Sequence, residues 1–335
     1  MTILITGGAG YIGGHMVLGL LDKGETPVVV DNMSNGVPWA PIGKAPFYHA
    51  DVGDYETITR ILRAHDVDTI IHFAALLITP ETYQRPLMFY QQNTAKSRTL
   101  LQAAADCGVR RFVFSGTAAV YGDPSDDLVS EDSPINPISP YGLSKWVIER
   151  MLADVAAVNA MNWVVLRYFN VAGADPQARY GQSTTKTTLL VQIAVQSALG
   201  IRDGIEVYGT DYPTMDGTAV RDYIHVSDLV DAHHAALDHL AADKGNLTCN
   251  VGYGRGFSVQ QVIDTTKRVS GCDFEVRTAE RRRGDAAHVV ADATRARDVL
   301  GWNPRFDDLD TIVAHALRWE ETMRSRHHVG DLSVL

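Results

Sequence analysis

Three cysteines, Cys107, Cys249 and Cys272, are too few and too scattered for a disulfide framework or a thiolate metal site. So sparse and odd a set suits a reducing cytoplasm. Positive charge is also scarce. Lys and Arg number 30 against 40 Asp and Glu, a formal net charge of −10 with the 12 His counted neutral. That excludes nucleic-acid binding through a basic footprint and leaves any anionic ligand to a few local arginines. No apolar run approaches the length of a bilayer span. The chain opens directly on the apolar Thr2–Thr6, with no charged region and long apolar stretch before it, so no signal peptide is expected. Neither an internal repeat nor metal-ligand spacing is present.

What is there is an ordinary globular mixture: 335 residues, 45% hydrophobic and 21% charged. This is enough for two domains, or for one large α/β body with an appended lobe. Short apolar runs at 3–6, 27–31, 47–50, 69–73, 112–115 and 164–168 read as strands. Helical stretches at about 11–23, 54–65, 83–107 and 140–160 lie between them. Such alternation predicts βαβ units and a parallel sheet of the doubly wound, Rossmann type. After Asn170 the pattern breaks. Residues 173–188 are polar and turn-rich. Then follow helices at about 189–199, from Ser227 or Asp228 (either a candidate cap) to about Leu240, at 258–269, near 294–300 and at 308–324. Strand-like pieces lie at 247–251 and 274–277, and the tail after Met323 reads as loosely held. The expected organisation is interleaved. A dinucleotide-binding domain takes 1–172 and about 219–250. A smaller α/β lobe takes about 173–218 and 251–335.

Three motifs carry chemistry. "TILITGGAGYIGGH" sets Gly7, Gly10 and Gly13 three apart between the first strand and the first helix, and Gly8-x-Gly10-x-x-Gly13 fits the other common register. Tight turn, close backbone approach and helix N-terminus together suit a pyrophosphate. Asp31 ends the second strand, 18 residues past Gly13; a carboxylate there accepts from a ribose hydroxyl and repels a 2′-phosphate, which selects NAD over NADP. Asp51, after "FYHA", is either an adenine-edge contact or a loop cap. "SPYGLSK" places Tyr141 and Lys145 at i,i+4 on one helix face, behind Pro140 and the candidate cap Ser139. A fixed ammonium beside a phenol stabilises the phenolate. Thr117, in "FSGTAAVYG", stands at a strand end, where open α/β sheets bind ligands. His233 and His234 read as structural.

These segments, with "LRYFNVAGA", "YGTDYPTMDGTAVRDYIHVSDL" and "RRRGD", resemble the extended short-chain dehydrogenase/reductase superfamily and, within it, the UDP-glucose 4-epimerase family. The likeness runs from residue 1 to about 322. "TAAVYG" and "GYGRGFSV" look most like the bacterial branch serving exopolysaccharide precursor synthesis. The resemblance implies a cytoplasmic homodimer that holds NAD tightly and interconverts UDP-glucose and UDP-galactose through a 4-keto sugar. It makes Tyr141 the base at the sugar 4-hydroxyl, Lys145 its electrostatic partner, and Thr117 a hydrogen-bonding assistant. By matching position it assigns Gly7, Gly10, Tyr11, Ile12, Gly13, Asp31, Asn32, Asn35, Asp51, Val52, Phe73 and Phe169 to NAD, with Tyr141 and Lys145. Asn170, Tyr208, Arg221, Arg282 and Asp285 go to the UDP sugar, with Thr117 and Tyr141. Two guanidinium forks would clamp the diphosphate; Arg281 and Arg283 read as solvated.

There are departures from that family. Gly116 stands where Ser or Thr is frequent, which implies backbone freedom beside Thr117. Leu77 replaces a lysine of some members, and Leu189 replaces an Asn or His. Val289 lies where certain members carry a bulky Tyr, which opens room for an N-acetyl group. A sugar-nucleotide 4,6-dehydratase would need an acid pair where Ala118 and Ala119 stand. A pentose 4-epimerase for UDP-xylose and UDP-arabinose stays open as an alternative. A non-catalytic NAD-sensing regulator would have no use for Tyr141, Lys145 and Thr117 together.

Overall fold

The computed structural model of the chain describes residues 1–37, 41, 43–77, 81–184 and 187–329. Seven parallel strands form one sheet, in the order Leu247–Val251, Asn162–Tyr168, Arg111–Thr117, Thr69–His72, Ile3–Thr6, Val28–Asp31, Phe47–His49. The chain starts in the middle, winds one way and then returns to wind the other. The strand order therefore reverses at Ile3–Thr6, and a doubly wound sheet binds its ligand at that switch point. The central strands are apolar on both faces because helices cover both. Tyr11–Asp22 and Val226–Ala241 pack together, and Tyr55–Ala64 packs on Lys96–Asp106.

The helix expected over 83–107 is segmented. Glu81–Gln84 and Pro86–Phe89 are single turns, Tyr90–Ala95 is a π-turn, and only Lys96–Asp106 is regular. Pro86 has no N–H to continue a preceding helix, so the chain restarts there. The π-turn aims the fully buried Asn93 at the neighbouring helix, as π-bulges at functional sites do.

Two small sheets stand beside the large one. Val220–His225 centres a four-stranded sheet. It pairs antiparallel with Gly256–Ser258 and parallel with His288–Val289 and Asn170–Ala172. Ile205–Tyr208 pairs with Val276–Ala279. Helix Val226–Ala241 begins two or three residues earlier than expected. Its cap is His225, whose Nδ1 accepts from Ser227 N–H at 3.0 Å, and not Ser227 or Asp228. Buried Asp228 instead accepts from the N–H groups of Arg305 and Phe306 and from the Tyr253 hydroxyl. The final helix, Leu309–Val329, runs beyond Met323, and residues from 330 lie outside the described ones.

Candidate active site

One cavity of about 840 Å³ lies over the carboxyl edge of the large sheet and reaches the small sheets. Its first wall is the glycine turn. Gly7 has φ +72°, and a Cβ there would fall 2.7 Å from Ala74 N. A Cβ on Gly13 would fall 2.1 Å from the Gly7 carbonyl oxygen, so turn and helix touch backbone to backbone. Gly8 faces inward against Val29, which leaves Gly7, Gly10 and Gly13 as the lining set. No side chain caps helix Tyr11–Asp22, so its first-turn N–H groups are left to a ligand.

Asp31 accepts from Ala9 N–H (3.0 Å) and Met33 N–H (2.8 Å), which fixes its carboxylate at the end of the second strand. Tyr11, Ile12, Asn32, Asn35, Val52, Phe73 and Phe169 line the same wall. Asp51 does not line it. Burial raises its carboxyl, but Lys96, Gly53 N–H and Asn32 Nδ2 outweigh that and hold it below the ordinary range. In the structure Asp51 caps its loop and orients Asn32 and Lys96, both of which do reach the cavity.

Thr117, Tyr141 and Lys145 meet at the centre. Ser139 accepts from Gly142 N–H at 3.0 Å and starts helix Pro140–Val158, with Pro140 in its first turn. A Cβ on Gly142 would lie 2.5 Å from the Ala119 carbonyl oxygen, so the helix start lies directly against the turn after Thr117. Behind it, Asn93 bonds Leu76 N–H (2.7 Å) and Ser144 Oγ (3.2 Å), tying the helix to the end of strand Thr69–His72. Lys145, 2% exposed, donates to the Ser115 carbonyl at 3.0 Å. Burial pushes the Tyr141 phenol up to about 12, and the Thr117 hydroxyl bonded to it acts the other way. Burial likewise pulls Lys145 down to about 8. Among the protein's own groups, the Thr117 hydroxyl opposes the rise at Tyr141.

Gly116 does not loosen Thr117. The strand pairs without a break from Arg111↔Asn162 to Thr117↔Tyr168, and a Cβ on Gly116 would lie 2.9 Å from the Leu166 carbonyl oxygen. The glycine serves close strand approach.

The far wall comes from the small sheets. Val289 pairs beside Arg221. The Arg282 guanidinium lies 3.5 Å over the Tyr208 ring, whose hydroxyl bonds Glu206. Asp285 closes that turn through its N–H to the Arg282 carbonyl at 3.3 Å. Asn170, Leu77 and Leu189 also line the cavity. Arg281 lies apart, paired with Asp211 over the Tyr212 ring. Arg283, expected to be solvated, lines the cavity and sits 5.3 Å over the Tyr83 ring. Nothing in "RRRGD" distinguishes the inward from the outward arginine; the glycine turn at φ +80° decides it. The polar stretch after Asn170 folds back onto the glycine turn, where Tyr180 donates to the Gly10 carbonyl at 3.0 Å and Tyr11 to the Gly173 carbonyl at 2.7 Å.

A glycine cradle with no room for side chains, an uncapped helix N-terminus and a strand-end carboxylate fit a dinucleotide, and a phenol, a hydroxyl and an ammonium meet it at the sheet edge. The chain belongs to the NAD dependent epimerase/dehydratase family, whose sequence profile matches residues 3–252. Within that class it is 48% identical over 321 residues to a UDP-glucose 4-epimerase of Azospirillum brasilense, covering 96% of this chain and 92% of that protein. The solved UDP-glucose 4-epimerase of Bifidobacterium longum, in complex with NAD+ and UDP, superposes with TM-score 0.91 at 35% identity, over 96% of this chain and 98% of that one. The UDP-Glc/GlcNAc 4-epimerase of Campylobacter jejuni does so with TM-score 0.83 at 42% identity, over 96% and 99%. Among the described residues no helix is long and apolar enough to cross a membrane, and no group of three His, Cys, Asp or Glu is placed to hold a metal ion.

Proposed function

We infer that the chain is a UDP-sugar 4-epimerase that interconverts UDP-glucose and UDP-galactose through a 4-keto sugar. The observation that carries this is the composition of the cavity centre. Thr117 and Tyr141 meet there beside Ala118 and Ala119. The carboxylates among the described lining residues are Asp31, at the glycine turn, and Asp285, in the arginine turn. A dehydratase needs an acid and a base next to its phenol. This site offers groups to move one proton at C4 and none to expel water.

Tyr141 takes the proton of the sugar 4-hydroxyl and returns it, while Thr117 bonds the same oxygen and the phenol. Lys145 supplies fixed positive charge below them. Gly7, Gly10, Tyr11, Ile12, Gly13, Asp31, Asn32, Asn35, Val52, Phe73 and Phe169 would hold NAD, with Asp51 acting behind Asn32, and NAD would supply reversible hydride chemistry at C4. Arg221 and Arg282 clamp the diphosphate, and Asn170, Tyr208 and Asp285 hold the rest of the nucleotide. The NAD-binding part is 1–172 with about 219–250, and the sugar-nucleotide part is about 173–218 with 251–335. The position of Val289 on the far wall favours room for UDP-N-acetylhexosamines as well. Exposed Leu87 and Leu143, on helices that pack together, support a homodimer, and the reduced, sparse cysteines support a cytoplasmic location.

Deuterium at the sugar C4 tests the reading. UDP-glucose labelled there is expected to give UDP-galactose with the label retained at C4. Loss of the label to solvent contradicts hydride return within one site. Failure on UDP-N-acetylglucosamine, with good turnover of UDP-galactose, removes the N-acetyl extension alone.

A further inference from the structure

Helix Pro140–Val158 carries a third polar residue on the face of Tyr141 and Lys145. Glu149 stands one turn beyond Lys145, at i+4, which places it on the same stripe. It lies outside the cavity and is 5% exposed, so it does not touch a ligand. A buried carboxylate persists only when paired and hydrogen-bonded. Arg167 meets it with a fork: Nη2 to Oε2 at 2.7 Å, and Nε to Oε1 and Oε2 at 3.3 and 3.2 Å. Arg167 is held in turn. Its Nη1 donates to the Tyr121 hydroxyl at 2.9 Å, and Tyr121 donates to Asn250 Oδ1 at 2.6 Å. The pair is thus built into strand Asn162–Tyr168 and anchored to edge strand Leu247–Val251, directly behind the catalytic helix.

Such an arrangement does little for stability that apolar side chains could not do. Its use lies in the neighbour. Burial raises the Glu149 carboxyl, and the Arg167 fork opposes that rise. We propose that Glu149, paired with Arg167 one turn along the helix, is a positioning residue that keeps the buried Lys145 ammonium charged beside Tyr141. The proposal rests on the reading of Tyr141 and Lys145 as the catalytic pair.

The surroundings of Lys145 leave Glu149 as its source of negative charge. From its own helix come Tyr141 and Glu149. From strand Thr69–His72 comes His72, which is neutral because burial pushes it down to about 3. Strand Arg111–Thr117 offers the Ser115 carbonyl and the Phe114 ring, 4.9 Å from the ammonium. Strand Asn162–Tyr168 offers the Tyr168 phenol, raised by burial, and Arg167, whose guanidinium is turned to Glu149. Burial lowers Lys145, and the Glu149 charge is what raises it.

The test is Glu149→Gln, with Glu149→Asp as the charge-preserving variant. The Lys145 ammonium is followed by ¹H–¹⁵N NMR on ¹⁵N-lysine-labelled protein, its signal identified by loss in Lys145→Met. In Glu149→Gln it is expected to titrate at lower pH than in the parent. The alkaline limb of kcat should move the same way, with kcat at pH 8.5 down about tenfold and KM little changed. Glu149→Asp should restore both. If Glu149→Gln does not hold its fold, the double variant Glu149→Met/Arg167→Met removes the pair without leaving a buried unpaired charge, and the same downward titration is expected. An unchanged Lys145 titration in a folded charge-free variant overturns the proposal. Absence of epimerase activity in the parent chain would instead overturn the functional reading, and the NMR titration would still decide the role of Glu149.

Discussion

The Lys145 ammonium donates to the Ser115 carbonyl at 3.0 Å, two residues before Thr117 in the same strand. With the close contact of Gly142 on Ala119, this hydrogen bond sets the spacing between the helix that carries Tyr141 and the strand end that carries Thr117. The phenol and the hydroxyl meet because both elements are clamped there, and Ala119 N–H bonding Thr117 Oγ1 at 3.2 Å sets the hydroxyl from the other side.

Tyr141→Phe keeps the ring and its packing and loses only the proton carrier. The fold and bound NAD are expected to persist while kcat falls about 10²- to 10⁴-fold. Circular dichroism, NAD content after denaturation and a coupled assay check this. Activity within a few-fold of the parent removes Tyr141 as the base.

Thr117→Val preserves shape and deletes the hydroxyl that bonds Ala119 N–H and Tyr141. A loss of about 10- to 100-fold in kcat is expected, with Thr117→Ser retaining most activity. Equal loss in both variants would show that the methyl, and not the hydroxyl, matters.

Gly13→Ala puts a Cβ 2.1 Å from the Gly7 carbonyl oxygen, against backbone that has nowhere to move. The variant is expected to lose bound NAD and to unfold at lower temperature. Retention of the full NAD content at the parent's Tm would contradict the cradle described above.

Arg282 lies over the Tyr208 ring, 3.5 Å from its centroid, and lines the cavity. Arg282→Ala should raise KM for UDP-galactose about 10- to 100-fold, the worth of a charge-assisted contact, with NAD content unchanged. Arg282→Lys should rescue little, since an ammonium has no plane to stack. An unchanged KM in both variants would place the diphosphate elsewhere.

Acid sensitivity follows from five buried histidines, one of which, His225, is lowered well below the ordinary value by burial. Burial pushes His72 down to about 3, and His15, His233 and His234 down to about 4. Their unfolded values lie near 6.5, so between about 6.5 and 4 the unfolded chain binds more protons. Stability is then fully present above 6.5 and falls as pH drops through that window. Denaturant unfolding at pH 7, 6 and 5 should show a progressive loss, and a flat profile would contradict the neutral, buried assignment.

The Rossmann half was legible because its strands are short apolar runs whose ends are set by burial and by turn residues. Ser139, Pro140 and the i,i+4 spacing of Tyr141 and Lys145 depend on neighbours in sequence, so they too could be read directly. Long-range partners could not. Asp51 turns to Lys96, 45 residues on, and Glu149 meets Arg167 across a helix–strand interface. Arg283 turns inward beside Gly284, which has φ +80° and packs against the Tyr83 hydroxyl. The helix expected over 83–107 ran straight through Pro86, where the chain restarts, and nothing local announced the π-turn that aims Asn93 at Ser144.

The most direct measurement is to incubate the purified chain with UDP-galactose and no added cofactor. UDP-glucose is expected to appear to equilibrium, absorbance at the NADH wavelength not to build up, and denaturation to release NAD. Turnover that requires added NAD and accumulates NADH would contradict this and make the chain a net dehydrogenase.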